Sequence, residues 1–344
     1  MAIIRGIFSS SQRSFNKNVL AMTYLAGSGV LTWAFVNSFG TKYPDPAVSP
    51  GGGGQGNDVA FNPTKTVLAV ASGGTPTFQA YAWYGGFGTK YSDPTTLPSG
   101  GTMMTMFNPT GTVLAASSSG SPYIYAYAWS SGFGSKYADP STIPGVTGRG
   151  VNFSPDGANI VVSSSGTPYI QGYPWSSGFG TKFANPATLP SANSYSVDFN
   201  HAGTAVGTTS LNSPYVEIYA WSSSGFGTKY ADPATLPTAG SAPAVRFSLN
   251  DADVAVAHKS SPYFSVYKWV NGTGFGTKYA NPSTPATSNT YGVAFNPNST
   301  IIAVTAISTP YIYAYPWVSG TGFGTKLVDP TVLPTAQGNG LTII

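Results

Sequence analysis

The segment Gly225-Phe226-Gly227-Thr228-Lys229-Tyr230-Ala231-Asp232-Pro233, or a close variant of it, occurs seven times in this chain of 344 residues. Successive copies are 46 to 49 residues apart. Their phenylalanines are Phe39, Phe87, Phe133, Phe179, Phe226, Phe275 and Phe323. A fixed period of this size is typical of one supersecondary unit copied around an axis or along a solenoid. The repeat therefore predicts a surface built by many units rather than a single active site.

Each repeat predicts four short strands. The first carries an alternating Val-x-Phe, as at 151–153, and ends in a turn such as 154–157, where Pro and Gly suit the turn backbone. A second apolar run and a Ser/Thr-Pro turn precede a third strand, which is rich in aromatic residues and ends at Trp. The tryptophans are Trp33, Trp83, Trp129, Trp175, Trp221, Trp269 and Trp317. The Phe-Gly-Thr-Lys-Tyr segment is the fourth strand, and its glycine favours an outer edge.

The two ends of the chain distinguish a closed ring from an open stack. The first repeat lacks its opening strand, because residues 19–25 already resemble a second strand. Residues 338–344 resemble an opening strand, so the missing strand lies at the other end of the chain. Closure by that strand removes an exposed sheet edge. We therefore predict an all-β, seven-bladed β-propeller over residues 18–344, whose closing blade combines 18–46 with 338–344.

The order of these motifs resembles a known family. Val-x-Phe-Ser-Pro-Asp-Gly at 151–157, an apolar second strand and a third strand ending in Trp are similar to the WD40 and YVTN-type β-propellers. The Gly-His pair of WD40 is missing and no Asp follows the Trp, so that family's buried His–Asp network is not carried over. The Phe-Gly-Thr-Lys-Tyr-Ala-Asp-Pro signature resembles low-charge propeller repeats of tailed bacteriophages, especially marine ones. That resemblance implies a virion or host-contact setting and no chemistry.

The composition is low in charge. Only 8% of residues are charged, against about a quarter in a typical globular chain, so Ser, Thr, Asn and Gly must provide solubility. This composition is commoner in secreted, cell-surface or virion proteins. The chain has no cysteine, which excludes disulfides and thiolate metal sites. The net charge of +4 predicts no nucleic-acid partner, and no apolar run is long enough to predict membrane insertion.

Residues 1–17 form a second, smaller feature. They contain Arg5, Arg13 and Lys17, and no acidic residue occurs before Asp45. Their apolar residues are too interrupted for a secretory signal. The segment is either a frayed terminus or a basic arm that docks on a partner protein.

The repeated aromatic residues have two interpretations. One Trp and one Phe in every repeat favour packing between blades. The alternative is a ring of exposed indoles that stack on sugar faces, since an indole has an apolar face and an N–H donor.

Asp198 and Arg246 occupy the x of Val-x-Phe in adjacent repeats. We expect them at the same depth on neighbouring inner strands, as a possible pair between blades near the central channel. Such a buried pair would contribute to blade register more than to stability.

Other polar residues give no catalytic or metal constellation. His201 and His258 fall at different repeat positions, and Glu217 is the only glutamate. Asp251 and Asp253 lack the Gly and Glu of a calcium loop. The sequence therefore predicts no enzyme activity, no metal and no cofactor.

These observations favour a virion structural protein, a rigid propeller that decorates a phage head or tail at the particle surface. Its partners would be other virion proteins, contacted through the basic arm and through the loops between blades, which share a face with the Ser/Thr-Pro turns. The alternative is a lectin-like propeller that binds host-surface glycans. A WD40-type intracellular scaffold does not fit the scarcity of charge. A lactonase-like enzyme would need acidic or histidine ligands at the channel mouth, where Asp198 is the only inner-strand acid that the repeat pattern shows.

Overall fold

The computed structural model describes residues 19–24, 29–53, 55–238 and 240–344. The predicted basic arm, with Arg5, Arg13 and Lys17, lies outside the described residues. Within the described ranges, no helix has the length and apolar character needed to cross a membrane.

The strands form seven antiparallel sheets, which follow one another along the chain as blades 1 to 7. Blade 1 contains β1 (Val19–Tyr24), β2 (Val30–Phe35), β3 (Phe39–Lys42) and the C-terminal β27 (Gly338–Ile343). Blade 2 contains β4 (Gly56–Phe61), β5 (Val67–Ser72), β6 (Phe78–Trp83) and β7 (Phe87–Lys90), preceded by a short 3-10 helix at Pro50–Gly53. Blade 3 contains β8 (Thr102–Phe107), β9 (Val113–Ser118), β10 (Ile124–Trp129) and β11 (Phe133–Lys136).

The remaining blades repeat this order. Blade 4 contains β12 (Gly148–Phe153), β13 (Asn159–Ser164) and β14 (Ile170–Pro174). Blade 5 contains β15 (Ser194–Phe199), β16 (Ala205–Ser210), β17 (Val216–Ser222) and β18 (Gly225–Lys229). Blade 6 contains β19 (Ala244–Phe247), β20 (Asp253–Ala257), β21 (Phe264–Val270) and β22 (Gly274–Lys278). Blade 7 contains β23 (Thr290–Phe295), β24 (Ile301–Ala306), β25 (Ile312–Val318) and β26 (Gly322–Phe323).

The C-terminal strand closes the ring, which confirms the predicted architecture. β27 pairs antiparallel with β1, with Leu20 opposite Ile343 and Met22 opposite Leu341. The N–H of Val19 donates to the carbonyl of Ile344 at 3.0 Å. The innermost strands, β27, β4, β8, β12, β15, β19 and β23, contact one another in sequence all the way round. They surround the central channel.

Aromatic side chains hold adjacent blades together. The seven tryptophans are between 0 and 7% exposed. Each packs against the signature Phe of its own blade, with ring centroids 4.9 to 6.0 Å apart. Most also contact the preceding blade, as where Tyr43 meets Trp83 with centroids 5.3 Å apart. Indoles buried in this way cannot stack on a sugar, so the ring of exposed tryptophans that the lectin interpretation required is not formed.

Candidate functional site

The central channel opens into a cavity at each end. The front mouth, of about 420 Å³, is lined by residues near the starts of the inner strands: Asn57, Arg149, Tyr195, Tyr291 and Asn339. The rear mouth, of about 520 Å³, is lined by residues at their ends: Phe61, Phe153, Phe199, Phe247 and Phe295. Asp58, Arg246 and Leu341 line both cavities and so mark the middle of the channel. Lys259, in the turn between β20 and β21, reaches the front mouth.

Asp58 is a buried acid at the bottom of the front mouth. It lies on β4, is 6% exposed, and its Oδ2 accepts a hydrogen bond from the N–H of Thr105 in the next blade at 3.0 Å. Burial raises its pKa to about 6, although the Thr105 bond and the charge of Arg246 act in the opposite direction. A carboxyl group that titrates near neutral pH is suited to general acid–base chemistry.

The inner strand of blade 1 comes very close to Asp58. A Cβ at Gly340 would lie 2.5 Å from both the Cα and the Oδ1 of Asp58. Only glycine allows this approach, which encloses the carboxyl group between blades 1 and 2.

The sequence pattern singled out Asp198 as the inner-strand acid and did not single out Asp58. Asp198 occupies the x of Val-x-Phe, the position that the alternation assigns to the channel. Asp58 immediately precedes Val59 and belongs to the same strand. The signal for this acid therefore lies one residue before the x of Val-x-Phe, at the residue that precedes Val.

Asp198 and Arg246 lie on β15 and β19 of adjacent blades, but they do not form an ion pair. The ion pairs among the described residues all join a lysine to the aspartate three positions later. The carboxylate of Asp198 instead accepts hydrogen bonds from the N–H of Phe247 at 2.8 Å and from the amide of Asn152 at 2.7 Å. Three consecutive blades are therefore joined through Asp198.

Arg246 is held against the channel wall. Its Nη1 donates to Ser196 Oγ at 3.2 Å and to the carbonyl of Val245 at 2.9 Å. Burial raises the pKa of Asp198 to about 6, and the charge of Arg246 partly offsets this rise, as it does at Asp58. Arg246 thus interacts electrostatically with both channel acids.

Two further cations line the front mouth, each above a tyrosine of the next blade. The Arg149 guanidinium lies 4.9 Å from the ring centroid of Tyr195, and the Lys259 ammonium lies 4.9 Å from that of Tyr291. Arg149 Nε also donates to Ser165 Oγ at 2.8 Å. Among the described residues, three cations including Arg246 line this cavity, and Asp58 is its only acidic lining residue. Such a cavity attracts anions.

Side-chain amides complete the wall beside Asp58. Asn57 donates to the carbonyl of Thr102 in the next blade at 2.7 Å, and Asn339 makes the equivalent bond to blade 2 at 2.7 Å. Gln55 and Gln337 donate to these asparagines at 2.9 and 2.8 Å. The amides form an ordered polar surface that can hydrogen-bond hydroxyl groups of a ligand.

The other singled-out residues lie outside the front mouth. His201 is on the rim of the rear mouth. His258 is buried beside Ser265, and burial lowers its pKa to about 4. Glu217 is 1% exposed and accepts from the N–H of Ser191 at 2.9 Å, and burial raises its pKa. Across the described ranges, no three His, Asp or Glu side chains are grouped as metal ligands would be.

Comparisons with solved structures identify proteins of the same fold. No protein-family model and no curated relative matches the chain. The structure resembles the periplasmic gluconolactonase of Pseudomonas aeruginosa, with a TM-score of 0.73, 15% identity, and coverage of 95% of this chain and 99% of that one. It also resembles a candidate 6-phosphogluconolactonase of Bacteroides fragilis, with a TM-score of 0.73, 12% identity, and coverage of 96% and 99%. At these identities the likeness shows a shared fold.

These neighbours correct the functional expectation from the sequence. They are named as lactonases, whereas the sequence predicted a virion structural protein, or a glycan-binding propeller, without enzyme activity. Neither of these two neighbours is named as a WD40 or phage propeller. The predictions of a virion role and of no enzyme activity were therefore wrong.

Proposed function

We propose that this chain is a hydrolase that opens sugar lactones in the front mouth of its channel. The observation that carries the proposal is that Asp58 and Arg246 line the same cavity at the bottom of that mouth. The named activities of the structural neighbours support the same reaction class. The cavity volume of about 420 Å³ is within the usual range for small-molecule sites.

Lactone opening requires an activated water and stabilisation of negative charge. In the proposed reaction Asp58 removes a proton from water, whose oxygen forms a bond to the ester carbon. The positive charge of Arg246 stabilises the oxyanion that develops on the carbonyl oxygen. The bond from the ester carbon to the ring oxygen then breaks. The ring oxygen receives the proton from Asp58 and leaves as a hydroxyl group, and the product is a hydroxy acid.

The test measures acid release from D-glucono-1,5-lactone by pH-stat titration and compares the rate with that of spontaneous hydrolysis. We expect the wild-type protein to accelerate hydrolysis, with kcat/KM rising as the pH passes through about 6, because Asp58 must be ionised to act as the base. The variant Asp58→Asn should lose about 100-fold or more in kcat.

The matched control is Asp156→Asn. Asp156 is an aspartate in the turn between β12 and β13, and it does not line the front mouth. This variant should retain wild-type activity. If the wild-type protein and Asp58→Asn both leave the spontaneous rate unchanged, the proposed function is wrong.

A further inference from the structure

The front mouth is divided into two arcs of different chemistry. Blades 4 and 6 contribute Arg149 and Lys259, which we call the cationic arc. Blades 1 and 2 contribute Asp58 and the side-chain amides, which we call the reactive arc. On one side, blade 3 separates the arcs with Met103 and Met104. A ligand that spans the mouth therefore meets the acid at one end and positive charge at the other.

The cations of this arc are positioned without being neutralised by acids. Among the described residues, Arg149 and Lys259 take part in none of the ion pairs, which all use the signature lysines. Each instead lies above a tyrosine ring, an arrangement that restricts the side chain and leaves its full charge. Two rigid, uncompensated cations facing one cavity are suited to an anionic group of the ligand.

We propose that the substrate is a lactone with an anionic group remote from its ester, a phosphate monoester or a carboxylate, bound by Arg149 and Lys259. This inference rests on the proposed function and identifies its substrate class. The anionic group lies on the cationic arc, and the ester faces Asp58 on the reactive arc. An arginine fork pairs well with phosphate or carboxylate oxygens, and lysine adds a compact charge. The names of the structural neighbours include both a phosphorylated and an unphosphorylated lactone, and the charge of this mouth favours the charged class.

The test compares the binding of three sugars that differ only at carbon 6, measured by isothermal titration calorimetry. They are glucose, glucose 6-phosphate and glucuronate, none of which contains a lactone that the protein could hydrolyse. We expect at least one of the anionic sugars to bind about tenfold or more tightly than glucose. Preference for glucose 6-phosphate would identify the group as phosphate, and equal or tighter binding of glucuronate would identify it as carboxylate.

Charge-removing variants locate the anion site. Arg149→Gln and Lys259→Gln should each weaken binding of the preferred anionic sugar about fivefold or more, and more than they weaken binding of glucose. Lys65→Gln is the matched control, because it makes the same charge change at the rear mouth. If Lys65→Gln has the same effect as the other two variants, the attraction comes from overall charge and the proposed site is wrong.

The two proposals fail in distinguishable ways. Equal binding of all three sugars, together with Asp58-dependent hydrolysis of gluconolactone, would overturn the anionic substrate and leave the lactonase. Selective binding of an anionic sugar, lost in Arg149→Gln, would establish the anion site even if no lactone were hydrolysed. In that case the reaction assigned to the site would be wrong.

Discussion

At the scale of single residues, the channel contains two acids whose environments differ from those of the exposed aspartates. Asp58 and Asp198 are each held by the backbone N–H of the next blade and by the charge of Arg246. These contacts only partly offset the loss of hydration, so burial still raises both pKa values to about 6. The ionised acids therefore destabilise the fold, which is common where a group is retained for chemistry.

The raised pKa of Asp58 predicts a specific dependence of stability on pH. The folded protein holds the proton of Asp58 more tightly than the unfolded chain does. Protonated Asp58 therefore contributes its full stabilisation of the folded state below pH about 4, and this contribution is lost as the pH rises through about 6. Relative to Asp58→Asn, the wild-type free energy of unfolding should therefore fall by up to about 3 kcal/mol between pH 4 and pH 7. Urea unfolding of both proteins at a series of pH values measures this difference. A difference that does not change with pH would show that Asp58 is not perturbed.

The sequence predicted some of this site and missed the rest for physical reasons. Asp198 and Arg246 were placed on adjacent inner strands because the Val-x-Phe alternation assigns their positions. Their partners were not predictable, since Asp198 contacts the backbone of Phe247 and backbone groups carry no sequence signal. The meeting of Arg149 with Tyr195 and of Lys259 with Tyr291 depends on the rotation between blades, which sequence spacing does not specify.

At the scale of strands, the repeat signature joins one blade to the next. Its Phe packs on the Trp of the same blade, and the aromatic residue four positions later packs on the Trp of the following blade. Contacts between aromatic rings add about 0.5–1.5 kcal/mol each beyond the area they bury. The low sequence variation of the signature follows from this double contact.

Two blades have shortened fourth strands, and proline explains both. The third strands of blades 4 and 7 contain Pro174 and Pro316 at the position where blade 2 has Ala82. Proline has no N–H to donate to the neighbouring strand. The fourth strand is accordingly reduced to a single bridge between Trp175 and Phe179 in blade 4 and to two residues in blade 7. The sequence contained this signal, although the repeat pattern predicted four strands in every blade.

A comparison of two neighbouring residues, one at the end of β6 and one in the turn after it, tests the packing role of the tryptophans. Trp83 is 4% exposed and Tyr84 is 72% exposed. We expect Trp83→Ala to reduce the free energy of unfolding by about 3–5 kcal/mol, because it removes a side chain that contacts two blades. Tyr84→Ala should change it by less than about 0.5 kcal/mol. Chemical denaturation of the two variants gives the comparison, and similar losses would argue against packing through the tryptophan.

At the scale of the whole molecule, the ring closes at a seam where β27 pairs with β1. This seam and the candidate site are one region. The closing strand β27 supplies Asn339, Gly340 and Leu341 to the front mouth and also pairs with β1. The reactive arc is therefore complete only when β27 is paired with β1. The sequence predicted this closure because the first repeat lacked an opening strand, but it did not show that the closing strand encloses Asp58.

The seam is joined only by hydrogen bonds and packing between distant parts of the chain, which predicts that the ring opens there first. Ala21 and Thr342 are directly opposite across the seam, and Ala115 and Ala126 are opposite within blade 3. Because the chain has no cysteine, each pair can be replaced by cysteines without competing thiols. A seam disulfide closes a loop of nearly the whole chain and should stabilise the protein by about 5 kcal/mol, against about 3 kcal/mol for the short loop within blade 3.

The seam disulfide should also slow unfolding more than the disulfide within blade 3 does. If the ring opens between β27 and β1, the seam disulfide must also slow global unfolding, because it blocks the first step, whereas the disulfide within blade 3 leaves that step free. Unfolding rates in denaturant, measured with each disulfide oxidised and then reduced, separate the two cases. Equal rates for the two oxidised proteins would place the first opening elsewhere in the ring. Asp58 would then still be enclosed by blade 1 when the ring first opened.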